Sequence, residues 1–506
     1  MSVAKRDGKF FAPWLPWCLL RSSFIPIVIL IALPFAALAA NGLSKPVTDF
    51  TKAEKGEKFP GGAGSHSKTL NRNAFLQPSA NMRFERRLDF SVGQGFFKRL
   101  WVSAPASTQA ADGLGPLYNA RACSRCHIRN GRGQPPEGSG TRGRSLILRL
   151  SIPPQNDAHR RLLDQRRISV VPEPTYGHQF QDIAIQGHAA EGQLKIEYKE
   201  TTVELADGDV VKLRQPQYSV SEPAYGVLHD ETLYSPRIAP QMIGLGLLEA
   251  IDEAAILAQA DPDDRDGDGI SGKANEVWSH EYQRVMLGRF GWKAGSPTLN
   301  EQSQSAFVGD MGISTPLHPH GAGDCTTRQT ACLQALHGNS PQFENLEAPA
   351  EVVDAVVFYV RNLAVPVRRN ADSPEVLAGK KLFYESGCIA CHTPKYMTRT
   401  LDKHAEQSSQ LIWPYTDMLL HDMGEGLADG RPEGLADGRE WRTPPLWGVG
   451  LIPVVNGHRY YLHDGRARNL LEAVLWHGGE AEASRLAVVK MPRSQREQLI
   501  RFLESL

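Results

Sequence analysis

Cys123-Ser-Arg-Cys126-His127 recurs with the same spacing as Cys388-Ile-Ala-Cys391-His392. In such a stretch two thiols can add across the vinyl groups of a haem, and the histidine that follows at once reaches the iron from one face. With 7 Cys and 16 His in 506 residues, composition alone predicts roughly 0.003 such motifs. A zinc or redox Cys-x-x-Cys pair with an incidental histidine is the bland alternative, and finding the motif twice argues against it. The pattern implies two covalently attached c-type haems, with His127 and His392 as iron ligands and Cys123, Cys126, Cys388 and Cys391 as attachment points.

Working outward, the same parts surround each motif. Before the second, Ser373-Pro374 offers a helix cap with proline at the first helical position, and Gly387 stops the chain just before Cys388. After it, Ser494-x-x-Glu497 reads as a capping box opening a closing helix with an apolar stripe at Leu499, Ile500 and Leu503. Around the first motif, a helix is expected from Ser91 to Trp101. A second, from Glu351 to Leu363, carries Val352, Val353, Val356, Tyr359, Val360 and Leu363 on one face. Between them, residues 145–235 alternate like strands, as in Leu146-Ile-Leu-Arg-Leu150, Lys195-Ile-Glu-Tyr198 and Val210-Val-Lys-Leu213, about an Ala206-Asp-Gly-Asp209 turn. The expected fold is mainly α, with two cytochrome c-like haem domains (84–366 and 373–506) and a β-rich insertion at 145–235 in the first. Residues 41–83 read as an arm or linker, and 364–372 as the connection between domains.

The N-terminus bears on location. Lys5, Arg6, Lys9 and Arg21 precede an apolar run from Phe24 to Leu38 that ends in Ala37-Leu38-Ala39. That is the layout of a secretory signal over 1–40, so the expectation is export to the periplasm, with a membrane contact only if the signal stays uncleaved. No later stretch approaches the ~18 apolar residues of a membrane span. Setting aside Cys18 and the four motif cysteines, Cys325 and Cys332 remain, an even number that suits a disulfide in an oxidising compartment. Lysine plus arginine and aspartate plus glutamate are 56 each, so bulk charge indicates no nucleic-acid partner.

Further text carries a resemblance: Gly115-Pro-Leu-Tyr-Asn119, Ser235-Pro-Arg-Ile-Ala-Pro-Gln-Met-Ile-Gly-Leu-Gly-Leu-Leu-Glu249, Asp310-Met-Gly-Ile-Ser314, Leu419-Leu-His-Asp-Met-Gly424, Trp441-Arg-Thr-Pro-Pro-Leu-Trp447 and Leu462-His-Asp-Gly-Arg466. From about residue 84 to the end, the chain resembles the di-haem oxidoreductase family. That family is itself similar to bacterial di-haem cytochrome c peroxidases and to the di-haem enzyme that matures methylamine dehydrogenase. The resemblance implies an oxidoreductase that reduces a small oxidant such as hydrogen peroxide at the first haem. The second haem would relay electrons from a soluble electron-donor protein. The residues also admit a non-catalytic di-haem electron carrier, or an enzyme oxidising a substrate at long range.

The resemblance also suggests roles. Related peroxidases place a distal methionine at the end of the helix after a His-x-Gly motif. Matching that motif to His463-Asp-Gly465 lands on His477, with Asn469-x-x-Glu472 as the helix cap and Gly478-Gly479 as its stop. Met423 or Met418 is the alternative sixth ligand. For the first haem no histidine follows His127 until His159, and His178, His188 and His229 lie in the strand-rich insertion. An open first haem is therefore the expected peroxide site. Where the relatives carry an acid after a proline turn, this chain has Pro240-Gln241, and Glu249 is the nearest downstream carboxylate; Gln241 and Glu249 are the candidate acid–base residues. Finally, Asp264-Arg-Asp266-Gly-Asp268-Gly-Ile270 follows the start of a calcium loop, with the Asp264, Asp266 and Asp268 carboxylates and the Ile270 carbonyl as ligands. Asn275 stands where the usual closing glutamate would be.

Overall fold

Each Cys-x-x-Cys-His turn lies beside a pair of crossed helices in the computed structural model, which describes residues 42–136 and 145–506. In the first unit, α1 (Arg86–Lys98) crosses α3 (Ala350–Arg361); in the second, α4 (Pro374–Glu385) crosses α5 (Arg493–Ser505). Both crossings use glycine for backbone approach. A Cβ on Gly93 would stand 2.1 Å from the Ala355 carbonyl oxygen, and one on Gly379 would stand 2.0 Å from that of Gln498. Phe97 then reaches within 6.3 Å of the His127 ring, and Phe383 within 6.1 Å of His392. Remaining long helices include α2 (Leu299–Met311), which packs on α3 and is capped by the Thr298 hydroxyl.

Local chemistry accounts for most helix ends. Ser373 accepts from the Val376 amide, Pro374 occupies the first turn, and Gly387 at φ +80° ends the helix at the second motif. The closing helix begins differently from the expected capping box. Pro492 is its N-cap, Ser494 lies inside the helix, and Glu497 pairs with Arg493 one turn back. Helix α1 begins at Arg86, five residues before the expected start, with no side-chain cap.

The insertion is strand-rich. Strand β1 (Leu146–Ser151) lies between β2 (Gln179–Phe180) and β5 (Leu233–Ile238), with Leu148 opposite Phe180 on one side and Pro236 on the other. Strands β3 (Gln193–Glu204) and β4 (Val210–Ser221) form a long hairpin that turns at Gly208. This hairpin lies on the second unit: Arg496 binds Asp207, and Arg214 donates to the carbonyls of Gly465 and Arg466. The arm ties in as well. Leu43 bridges to Tyr396, His66 to Pro366 and Pro78 to Leu363.

A mainly α fold is not what forms. Only 29% of the described residues are helical and 18% are in strands, with several small sheets. The crossed helices that produced the helical expectation are present, but they frame only one side of each motif. The long stretches between them are loops, short helical turns and sheets of two or three strands. Among the described residues, no helix is long and apolar enough to cross a membrane. The expected signal at 1–40 lies outside the described residues.

Candidate functional site

Both motifs open onto cavities. The first, about 360 Å³, is lined by Cys123, Cys126 and His127. His127 Nδ1 donates to the Pro240 carbonyl at 2.9 Å, which fixes the tautomer and leaves the Nε2 lone pair free to act as a ligand. Burial pushes this imidazole's pKa down, keeping it neutral. The Cys123 thiol is pushed up to about 12 by burial and by nearby Asp310.

Around this cavity stand Arg132, Arg149, Arg237, Arg289, Arg431 and Arg442, against the carboxylates of Asp310 and Glu433 alone among the described residues. Glu433 bridges Arg237 and Arg431, at 2.7 and 2.8 Å; burial opposes its ionisation, yet the two guanidiniums hold its carboxyl well below the usual range. Arg132 and Arg431 are pushed down to about 10 by burial, and the Nε of each is buried without a hydrogen-bond partner. A cationic surplus of this kind suits a ligand that carries carboxylates. Two thiols, an oriented imidazole and guanidiniums for the propionates fit a haem.

A second cavity, about 180 Å³, is lined by Cys388, Cys391 and His392. His392 repeats the device: Nδ1 donates to the Tyr415 carbonyl at 2.9 Å, and burial with nearby His477 pushes its pKa down to about 4. His477 lines the same cavity with its own Nδ1 tied to the Ala473 carbonyl at 2.8 Å. The short helix Leu470–Leu475 carries it there, with Asn469 accepting from the Glu472 amide and Glu472 from the Arg468 amide. Met423 also lines the cavity. Met418 does not; it is buried with its sulfur 3.9 Å from an Arg442 nitrogen.

Two further histidines face this space. His421 is clamped between Asp417 at 2.7 Å and Glu480 at 2.6 Å, which hold it charged despite burial. His463 stacks on Trp441 at 3.8 Å, and burial pushes it down to about 3. Arg132, Gln241, Trp292, Arg442, Pro444 and Pro445 line both cavities, so the two spaces share a wall.

The other expected residues divide. Gln241 is in the shared wall, its amide 3.4 Å from the Trp447 carbonyl. Glu249 is absent from both linings; it binds Arg361 at 2.6 Å and caps α2 by accepting from the Leu299 amide. Of the insertion histidines, His178 lines the first cavity, whereas His159, His188 and His229 do not. Asp264, Asp266 and Asp268 bring one carboxylate oxygen each within 4.8 Å of one another. Ile270, next along the loop, also lines the second cavity. Cys325 and Cys332 are bonded to each other. Sequence reading missed the arginine wall and Trp292. Those side chains come from segments spread between Arg132 and Arg442, and no local spacing announces them.

One comparison with known proteins speaks to the cofactor number. A family model described as "Di-haem oxidoreductase, putative peroxidase" matches residues 54–506. No curated protein matches. Among solved structures, the Kuenenia stuttgartiensis hydrazine synthase determined under xenon pressure is similar at 16% identity. That match covers 40% of this chain and 70% of the other, with a TM-score of 0.22, too low to carry an argument.

Proposed function

Since the chain belongs to the di-haem oxidoreductase family, we propose that it is an exported c-type di-haem enzyme that reduces peroxide at the first cavity with electrons relayed through the second. The observation that carries this reading is the asymmetry of the two cavities around otherwise matching motifs. Facing His392, the second cavity holds His477, whose tied-back Nδ1 leaves Nε2 free in the same manner. Among the described residues the first cavity has no such buried imidazole besides His127: His178, half exposed, is held to Asp324 at its mouth, and Met242 and Met311 are its only thioethers. A haem with two strong protein ligands suits electron transfer, while one with an open face can bind an oxidant.

When bound, the two haems would supply the redox chemistry. Cys123 and Cys126, and Cys388 and Cys391, would attach them; His127, and His392 with His477, would ligate the irons. Met423 is the alternative to His477. The arginines of the first cavity would neutralise the propionates and hold the group in register. The shared wall of Trp292, Pro444 and Pro445 keeps the cavities adjacent, as fast transfer between them requires, and Trp292 is held there by its indole N–H on the Ile238 carbonyl at 2.9 Å. The donor would be a soluble one-electron protein. Asp264, Asp266 and Asp268 would hold a calcium ion. The signal-like pattern of residues 1–40 supports export to the periplasm. Of the two expected acid–base residues, Glu249 is committed to Arg361 and α2, and Gln241, though in the cavity wall, has an amide that can hydrogen-bond but cannot carry a proton.

Electron paramagnetic resonance of the oxidised protein, with optical spectra before and after peroxide, tests the proposal. The expected result is one high-spin ferric haem that changes on peroxide addition beside one low-spin haem that does not. Two low-spin haems indifferent to peroxide, in oxidised and half-reduced protein alike, would leave an electron carrier.

A further inference from the structure

We propose that His178 and Asp324 form the proton-delivery pair of the first cavity, an inference that rests on the peroxidase reading above. Reducing one peroxide to two waters consumes two electrons and two protons. The donor protein provides the electrons, and the protons have to cross the cavity wall from solvent.

His178 is placed for that crossing. It lines the first cavity while its side chain is 49% exposed, so one ring meets both the cavity and water. Its Nδ1 lies 2.9 Å from Asp324 Oδ1, and a carboxylate there accepts; Nδ1 therefore keeps its hydrogen and Nε2 is left to take and release the mobile proton. The other groups near the mouth are poorly suited. Arg149, Arg237 and Arg431 carry guanidiniums, which donate hydrogen bonds and offer no acceptor for a proton. Glu433 is held ionised between Arg237 and Arg431. Asp310 already accepts from the Gln179 amide at 2.9 Å.

The pair is also built rather than incidental. Asp324 Oδ2 accepts from the backbone amides of His178, at 2.5 Å, and Gln179, at 3.0 Å. Gly177, at φ +70°, makes room: a Cβ there would stand 2.5 Å from the same oxygen. On the Asp324 side, Cys325 is bonded to Cys332 and the Thr326 hydroxyl donates to the Thr175 carbonyl. Both segments are thus pinned, and Asp324 acts as the positioning residue for His178.

Cyanide tests this without turnover, because hydrogen cyanide must give up its proton before it binds ferric iron as the anion. With the full-length, haem-loaded protein, H178Q should slow cyanide association at the first haem by about 100-fold. D324N should slow it as well, since its one side-chain oxygen is claimed by the two backbone amides and its NH2 then faces Nδ1, which moves the ring hydrogen to Nε2. The resting paramagnetic resonance spectrum, which reports iron ligation, should stay unchanged in both. H178Q that binds cyanide at the wild-type rate overturns the proton pair alone. A wild-type protein that binds no cyanide overturns the open-iron reading and this inference with it, so the two failures appear in different proteins.

Discussion

Asp464 and Arg466, beside the cavity-lining His463, show how a single buried pair can make the fold sensitive to acid. Arg466 approaches both Asp464 oxygens, with contacts of 2.9 and 3.1 Å, and both side chains are buried. Burial opposes ionisation of the carboxyl, but the guanidinium wins and lowers its pKa from 3.8 to about 2. Neighbouring His463 is neutral at pH 7, so Arg466 is the effective partner. The sign follows from linkage. The folded state binds the proton less readily than the unfolded chain, so the stabilisation is complete above about pH 4 and is lost as pH falls toward 2. Its size is about 2 kcal/mol. D464N should therefore unfold in chemical denaturation with a stability lower by at least about 2 kcal/mol at pH 7, because Arg466 is left buried and unpaired. The gap between variant and wild type should narrow as the pH is lowered from 4. A constant gap across that range would show that lost packing, rather than the ion pair, sets the difference.

At the scale of elements, the glycine at each helix crossing reverses an ordinary rule. Replacing a mid-helix glycine by alanine normally stabilises by about 1 kcal/mol. At Gly379 the added methyl would stand 2.0 Å from the Gln498 carbonyl oxygen, which belongs to the backbone of α5 and cannot swing aside. Overpacking of this kind costs about 1–3 kcal/mol, so the clash should win. G379A is expected to lower the melting temperature followed by circular dichroism, whereas G95A, inside helix α1 with open space around its Cα, should not. A G379A melting temperature at or above wild type would mean the helices can part at no cost. Legibility in the sequence also divides by element. The second-unit helix α4 was readable because its signals are local: Ser373, Pro374 and Gly387 each act within a turn of where they stand. The start of α1 was not, because Glu85 makes no side-chain cap and the buried face of Phe90, Gly93 and Phe97 begins only in its second turn. Ser494-x-x-Glu497 misled because the preceding Pro492 already supplies the helix entry. The haem motifs are contiguous text, whereas the arginine wall and the His178–Asp324 pair exist only once distant segments meet.

For the whole molecule, the N-terminal arm does for the two units what no single interface does. Its Phe75 carbonyl accepts from Asn130 just after the first motif, while Glu57 is buried against Arg368 and Lys380 beside the second. Glu54 adds contacts to Lys380 and Lys395. Burial pushes the Glu57 carboxyl up, but Arg368 and Lys380 together pull it below the usual range, so the charged cluster is intact at neutral pH. Glu57 Oε1 also lies 3.3 Å from the Tyr415 hydroxyl, and it is the Tyr415 carbonyl that orients His392. Removing the carboxylate charge leaves Lys380 with the more exposed Glu54 and Arg368 buried without a carboxylate partner, a loss of about 3–5 kcal/mol. E57Q should therefore lower the denaturation midpoint measured by circular dichroism. Because the arm contacts both units, it should also split unfolding into two steps, with the absorbance of the second haem changing first. A single cooperative transition at a lower midpoint would mean that the hairpin β3–β4, through Arg496 and Asp207, suffices to couple the units. An unchanged midpoint would show that the buried cluster contributes no net stability, as happens when desolvation of the charges cancels their attraction.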